Sequence, residues 1–185
     1  MEKFYMFQKI LVAIDTSALA KYVFDQALFL AKASNASLIL LNALSGEEHG
    51  SPNIPILPRR DYHPYPAMSK RTLEFNQEQW EALEKQGLEL LQSFKDRATL
   101  AGVSTEFIQP SGNPGQTICN VARTWDADLI VIGRRGLSGL NELFLGSVSN
   151  YVLYNAPCSV LTVQHVLKTN TESAQDESSE VSELD

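Results

Sequence analysis

The chain has little cysteine, a modest share of charge and no long apolar run, and each shortage argues against a class of function. Its two cysteines in 185 residues, Cys119 and Cys158, stand far apart and form no CxxC pair. That argues against a disulfide framework or a zinc knuckle and suits a reducing compartment. No apolar stretch approaches the roughly 18–20 residues that a membrane helix needs, so no membrane partner is expected. The opening Met1-Glu-Lys-Phe-Tyr-Met-Phe shows no charged n-region and apolar h-region of an export signal. A soluble, cytoplasmic protein is the expectation. Basic residues are scarce too: 15 Lys and Arg against 22 Asp and Glu give a net charge of −7. Residues 168–185 hold six of those acids and only Lys168, a net of −5, which leaves −2 for residues 1–167. A nearly neutral body lacks the basic stripe that duplex nucleic acid requires, and no nucleic-acid partner is expected.

Several catalytic signatures are missing as well. There is no G-x4-G-K-[ST], hence no P-loop, and no G-x-G-x-x-G after the first apolar run. Gly136-Leu-Ser138-Gly139 is followed by Leu140, so it is no nucleophile elbow. His49, His63 and His165 have no catalytic spacing and read as loop or surface residues. Cys119 and Cys158 sit in apolar patterns and read as inert core thiols.

What is present is an alternation of two periods. Lys9–Ile14, Leu38–Leu41, Thr105–Gln109, Leu129–Ile132 and Cys158–Val163 are short apolar runs suited to strands. Between them, helical spacing runs over about 18–33, about 72–101, the stretch carrying Ile118 to Trp125, and about 147–155. Asp15-Thr16-Ser17 can cap the first helix, Gly102 suits the end of the second, and Trp80 and Leu83 read as its core stripe. Residues 45–71 carry five of the eight prolines and read as a long loop. The acidic 168–185 reads as a disordered tail after a single domain over 1–167.

Strands alternating with helices imply an α/β fold, a five-stranded parallel sheet of order 3-2-1-4-5 with helices on both faces. Its ligand crevice lies where the first and fourth strands part, beside the loops after Ile14 and Ile132. The second of these reads Gly133-Arg134-Arg135-Gly136, and continues to Gly146-Ser147-Val148-Ser149 at a helix start. Glycines without a Cβ let backbone N–H groups wrap an anion. The helix N-terminus adds about half a positive charge, and Ser147 and Ser149 can donate to phosphate oxygens. A tight turn with an N-cap serine is the plainer alternative. Asp15 can be an N-cap, a nucleotide contact or a Mg²⁺ ligand beside phosphate.

The pattern G-x2-G-x9-G-[ST], met by Gly133, Gly136, Gly146 and Ser147, resembles the nucleotide-binding signature of the universal stress protein family. KILVAIDTS at 9–17, DADLIVIGRRG at 126–136 and SGLNELFLGSVSNYVLYNAPCSVLTV at 138–163 extend the resemblance over about residues 7–165. It implies the ATP-binding branch of that family, and a dimer. The nucleotide contacts it implies are Ala13, Asp15, the backbone of Ala43 at the adenine edge, Gly133, Arg135, Gly136, Gly146, Ser147, Val148 and Ser149. Arg134-Arg135 stands where the family often has Ser-His, and these guanidinium groups can pair with phosphate or face water. ATP is the expected ligand, with AMP or a cyclic adenine nucleotide as alternatives, and Mg²⁺ a possible companion at Asp15.

A nucleotide-responsive stress or regulatory dimer with slow or no hydrolysis is therefore the expected function. A slow ATPase or phosphotransferase lacks a paired base and nucleophile, and a ligand-independent interaction module leaves the glycine signature without a purpose. The dimer is expected through the strand at 158–163, which lies at a sheet edge without lysine or internal proline. Val163→Pro is expected to remove a ladder N–H and split the dimer while leaving the interior strands intact.

Overall fold

Five apolar runs pair as parallel strands in the order β3-β2-β1-β4-β5, as the alternation of elements implied. The computed structural model describes residues 7–45, 70–134 and 146–164. The greater part of the 45–71 loop, Arg135, Gly136, the three histidines and the acidic tail lie outside the described residues. The elements are β1 (Lys9–Ala13), α1 (Ala20–Ser34), β2 (Ser37–Leu41), α2 (Lys70–Leu100) and β3 (Thr105–Ile108). After them come α3 (Pro114–Thr124), β4 (Leu129–Gly133), α4 (Ser147–Asn155) and β5 (Ser159–Val163).

Because side chains alternate along a strand, each strand feeds two cores. Ile10, Val12, Leu38, Leu40, Leu129 and Val131 face one way and pack with Val23, Phe24 and Ala27 of α1 and Leu91, Phe94 and Ala98 of α2. Leu11, Ile39, Leu41, Ile130 and Ile132 face the other way, onto Ile118, Cys119 and Ala122 of α3 and Val152 of α4. Burial on both faces is why these strands read as unbroken apolar runs. Phe24 and Phe94 stack with centroids 4.4 Å apart, and Arg97 covers both rings while bonding Asp25 at 2.7 Å.

Helix ends follow local chemistry. Asn35, Gly102 and Asp126 take positive φ just past α1, α2 and α3. In each case the next residue's N–H reaches back: Ala36 to Ala31 O, Val103 to Ala98 O, Ala127 to Ala122 O. Gly102 thus ends α2 as its position suggested. Asn113 caps α3 by accepting from the Gln116 N–H at 3.2 Å, with Pro114 in the first turn. Gly115 lies inside α3, and a Cβ there would fall 2.7 Å from the Tyr151 ring of α4.

The expected core stripe of α2 is corrected in its first half. Trp80 and Leu83 are only half-buried, whereas Leu91 and Ala98 are fully buried. A helix of 31 residues is roughly 46 Å long, against about 17 Å for a five-residue strand, so half of α2 overhangs the sheet.

Candidate functional site

β1 and β4 are hydrogen-bonded neighbours, with Ala13 beside Ile132, yet the chain leaves β1 for α1 on one face and β4 for α4 on the other. Their loops must diverge, and the crevice opens there. Ala13, half-buried, is the last residue of β1. Asp15 follows two residues later. Its Oδ1 accepts from the Ser17 N–H at 3.1 Å and from the Ser17 hydroxyl, while Ser17 Oγ in turn accepts the Leu19 N–H at 3.3 Å. These residues build an Asx turn ahead of the helix. The expected cap over 15–17 is thus displaced: α1 begins at Ala20, and its N-cap is Leu19, without a side-chain bond.

Gly133 ends β4, and the Ser149 hydroxyl donates to its carbonyl at 2.8 Å. This bond draws the first turn of α4 against the end of β4. Ser149 is buried, so its side chain serves as a brace between two segments. Gly146 is the N-cap of α4, Ser147 is exposed and Val148 half-buried. The N–H groups of Ser147, Val148 and Ser149 have no acceptor within the helix, because a helix leaves its first N–H groups unbonded.

The two described signature glycines differ in their reasons. A Cβ at Gly133 would lie 2.9 Å from Leu19 Cδ2 and 3.1 Å from Val23 Cγ2, so this glycine lets α1 approach β4. A Cβ at Gly146 meets nothing within 4 Å, and its φ of −57° suits any residue. The space before α4 is therefore open among the described residues. Arg134 ties the loop to β5: Nη1 donates to Gln164 Oε1 at 2.9 Å and the main-chain N–H to Val163 O at 2.8 Å.

Ala43 lies two residues past β2, buried, on the side of the sheet packed by α3 and α4. Its neighbour Asn42 was not singled out among the site residues. Asn42 is 2% exposed; its Nδ2 donates to Ile14 O at 2.9 Å and its Oδ1 accepts from Gln109 Nε2 at 2.9 Å. The available signal was a lone amide in the apolar run Leu38–Leu44. Cys119 is buried and Cys158 half-buried; burial pushes both thiols above their ordinary range.

The sequence pattern of the Universal stress protein family matches residues 6–164. The chain belongs to the universal stress protein family. Universal stress protein Sll1388 of Synechocystis is 41% identical over 161 residues, 85% of this chain and 97% of that protein. Universal stress protein YxiE of Bacillus subtilis is 37% identical over 164 residues, 86% of this chain and all of that protein. Universal stress protein UspA from Lactobacillus plantarum has the same fold, with a TM-score of 0.65 at 22% identity over 84% of this chain and 97% of that one. Fold neighbours also include a universal stress protein in complex with cAMP, at TM-score 0.55 and 24% identity over 85% of this chain and 97% of that one. An Arabidopsis thaliana family protein with AMP bound reaches 0.55 at 21% identity, over 91% and 97%. As a universal stress protein, this chain has the sheet order of its fold neighbours and carries two residues of the signature, Gly146 and Ser147, at the start of α4.

Proposed function

We propose that this universal stress protein binds an adenine nucleotide, ATP foremost, between the ends of β1 and β4, and that occupancy rather than rapid turnover is its output. The observation that carries the reading is the open start of α4 at Gly146, held by the Ser149–Gly133 bond beside the strand from which Asp15 emerges. The N–H groups of Ser147, Val148 and Ser149, which have no acceptor within the helix, suit phosphate oxygens, and the helix dipole adds to the attraction. By the resemblance, Gly133, Arg135 and Gly136 are also assigned to the phosphate contacts. Ala13 and Asp15 flank the ribose and phosphates, and the Ala43 main chain meets the adenine edge. Asp15 is the carboxylate to share Mg²⁺ with phosphate, since that ion takes one or two carboxylates alongside phosphate oxygens. The AMP and cAMP held by fold neighbours support the choice of an adenine ligand.

The same reading includes a homodimer through β5. β5 lies at the sheet edge, where Leu161 is exposed, and α4 beside it exposes Tyr151, Leu153 and Tyr154. An uncovered apolar edge favours pairing with a second copy across a two-fold axis. The expected proline test needs a different position. Val163 O accepts from Arg134 N–H, so Val163 faces β4, and the groups alternating with it, on Val160 and Thr162, face outward. Thr162→Pro, not Val163→Pro, removes an edge N–H.

Mass spectrometry of small molecules released from the purified protein tests the nucleotide reading, with calorimetry of ATP, AMP and cAMP on the stripped protein. Co-purifying adenine nucleotide or tight ATP binding is expected; neither would remove the reading. Light scattering of the native and Thr162→Pro proteins tests the dimer, which is expected to dissociate in the variant. A native monomer, or a dimer indifferent to that proline, refutes it.

A further inference from the structure

The β1–β2 ladder ends in an irregular way. Along β2, alternate residues face alternate neighbours. Ser37 N–H bonds Gln8 O and Ile14 N–H bonds Leu41 O, so residues 37 to 43 in steps of two face β1. Leu38 N–H bonds Ser104 O, Asn42 N–H bonds Ile108 O and Leu44 N–H bonds Pro110 O, so the even-numbered residues face β3. Continued regularly, the next rung toward β1 would run from Ala43 N–H to Ile14 O. Instead, Ile14 O receives Asn42 Nδ2 at 2.9 Å, and among the described residues Ala43 N–H makes no main-chain bond.

The side chain of Asn42 thus takes the place of the Ala43 rung. Its orientation is dictated, because a carbonyl oxygen only accepts and the amide nitrogen must face Ile14. The amide oxygen is then held by Gln109 Nε2 at 2.9 Å. Helix α2 closes over the pair at Gly87, where a Cβ would collide with Gln109 Nε2 and lie 2.7 Å from Asn42 Oδ1. Three elements therefore fix one amide at a buried position.

We infer that Asn42, held by Gln109, is a positioning residue for base selectivity: by satisfying Ile14 O it releases the Ala43 N–H and C=O, both on the β1 side, to read the edge of the base. This rests on the adenine-nucleotide reading above. One donor and one acceptor side by side match adenine, which offers N1 as acceptor and the N6 amino group as donor. Guanine presents the reverse pattern at the same two positions, N1–H and O6, and leaves both main-chain groups opposed. Asn42 touches no ligand in this scheme; it acts through Ala43.

The test is calorimetry of ATP, GTP and inorganic tripolyphosphate on the full chain, native and Asn42→Leu, with amide exchange at Ala43. With the amide gone, Ala43 N–H is free to close onto Ile14 O. The ratio of ATP to GTP affinity is expected to fall about tenfold or more, the worth of one hydrogen bond to the base, while tripolyphosphate affinity holds within about twofold. Ala43 is expected to exchange quickly in the unliganded native protein and slowly in the variant. Merely structural damage would weaken all three ligands together and leave the ratio unchanged, which overturns the inference. If Asn42→Leu does not fold, Gln109→Met carries the same measurement with a smaller fall expected; an unchanged ratio there is equally adverse. Failure of the native protein to bind ATP removes the adenine reading instead. Exchange at Ala43 then decides the placement alone, and protection equal to that of Leu41 overturns it.

Discussion

Gly146 caps α4 with φ −57° and ψ 155°, and a Cβ built there meets nothing within 4 Å. Gly146→Asn should therefore leave the fold intact, since asparagine ranks at least level with glycine as an N-cap. Its side-chain oxygen would accept from the N–H groups of the first turn and stand where a phosphate oxygen is proposed to bind. The two effects have opposite consequences. Stability should stay within about 1 kcal/mol of the native value, or roughly 2–4 °C in melting temperature for a chain of this size. Affinity for ATP should lose one or two charge-assisted hydrogen bonds of about 1.5–3 kcal/mol each, a fall of roughly ten- to ten-thousandfold. Gly133→Ala provides the contrast. Its Cβ would press on Leu19 at 2.9 Å and on buried Val23 at 3.1 Å, so overpacking of about 1–3 kcal/mol should lower the melting temperature first. Thermal melts and ATP calorimetry on both variants decide the matter. A folded Gly146→Asn protein that binds ATP as tightly as the native one would refute the placement of phosphate at α4.

Other expectations concern the scaffold. Asp126 takes φ 50° at the end of α3, so Asp126→Gly should relieve left-handed strain and stabilise by about 0.5–1 kcal/mol, read by urea titration; a loss would show that the carboxylate has another role. Phe94→Ala removes a ring stacked 4.4 Å from Phe24 and covered by Arg97, and should cost about 3–5 kcal/mol in the same titration. Burial pushes the thiols of Cys119 and Cys158 up, so the fold favours their neutral forms. Their contribution is complete below the unfolded thiol value, about 8.5, and is lost as pH rises through the higher folded values. Urea midpoints should thus decline between neutral and strongly alkaline pH, and decline less in Cys119→Ala; an identical pH slope in that variant would count against the thiol's share.

Much of the scaffold was legible because its signals are local. The apolar runs at Leu38–Leu41 and Leu129–Ile132 and Gly102 after α2 depend on residues within a turn or two of themselves. Strand order followed from alternation of elements, since parallel strands need a crossover each time. The spacing of the glycine signature was visible too, and it pointed to the family whose pattern matches residues 6–164. Boundaries moved where side chains bond main chain: Asp15 and Ser17 turn together and delay α1 to Ala20.

The sequence by itself thus determined the order of elements and the loop in which a phosphate site would be sought. Only the tertiary structure decided which groups remain available there. The Asn42–Gln109 bond joins residues 67 positions apart, and nothing near either one signals it. Whether Ser149 braces Gly133 or faces the crevice, and whether Val163 points to β4 or outward, depends on register and on which face α4 covers. Hydrogen-bonding groups are claimed by whatever neighbour the sheet brings within about 3 Å, and that neighbour is set by long-range packing rather than by chain order.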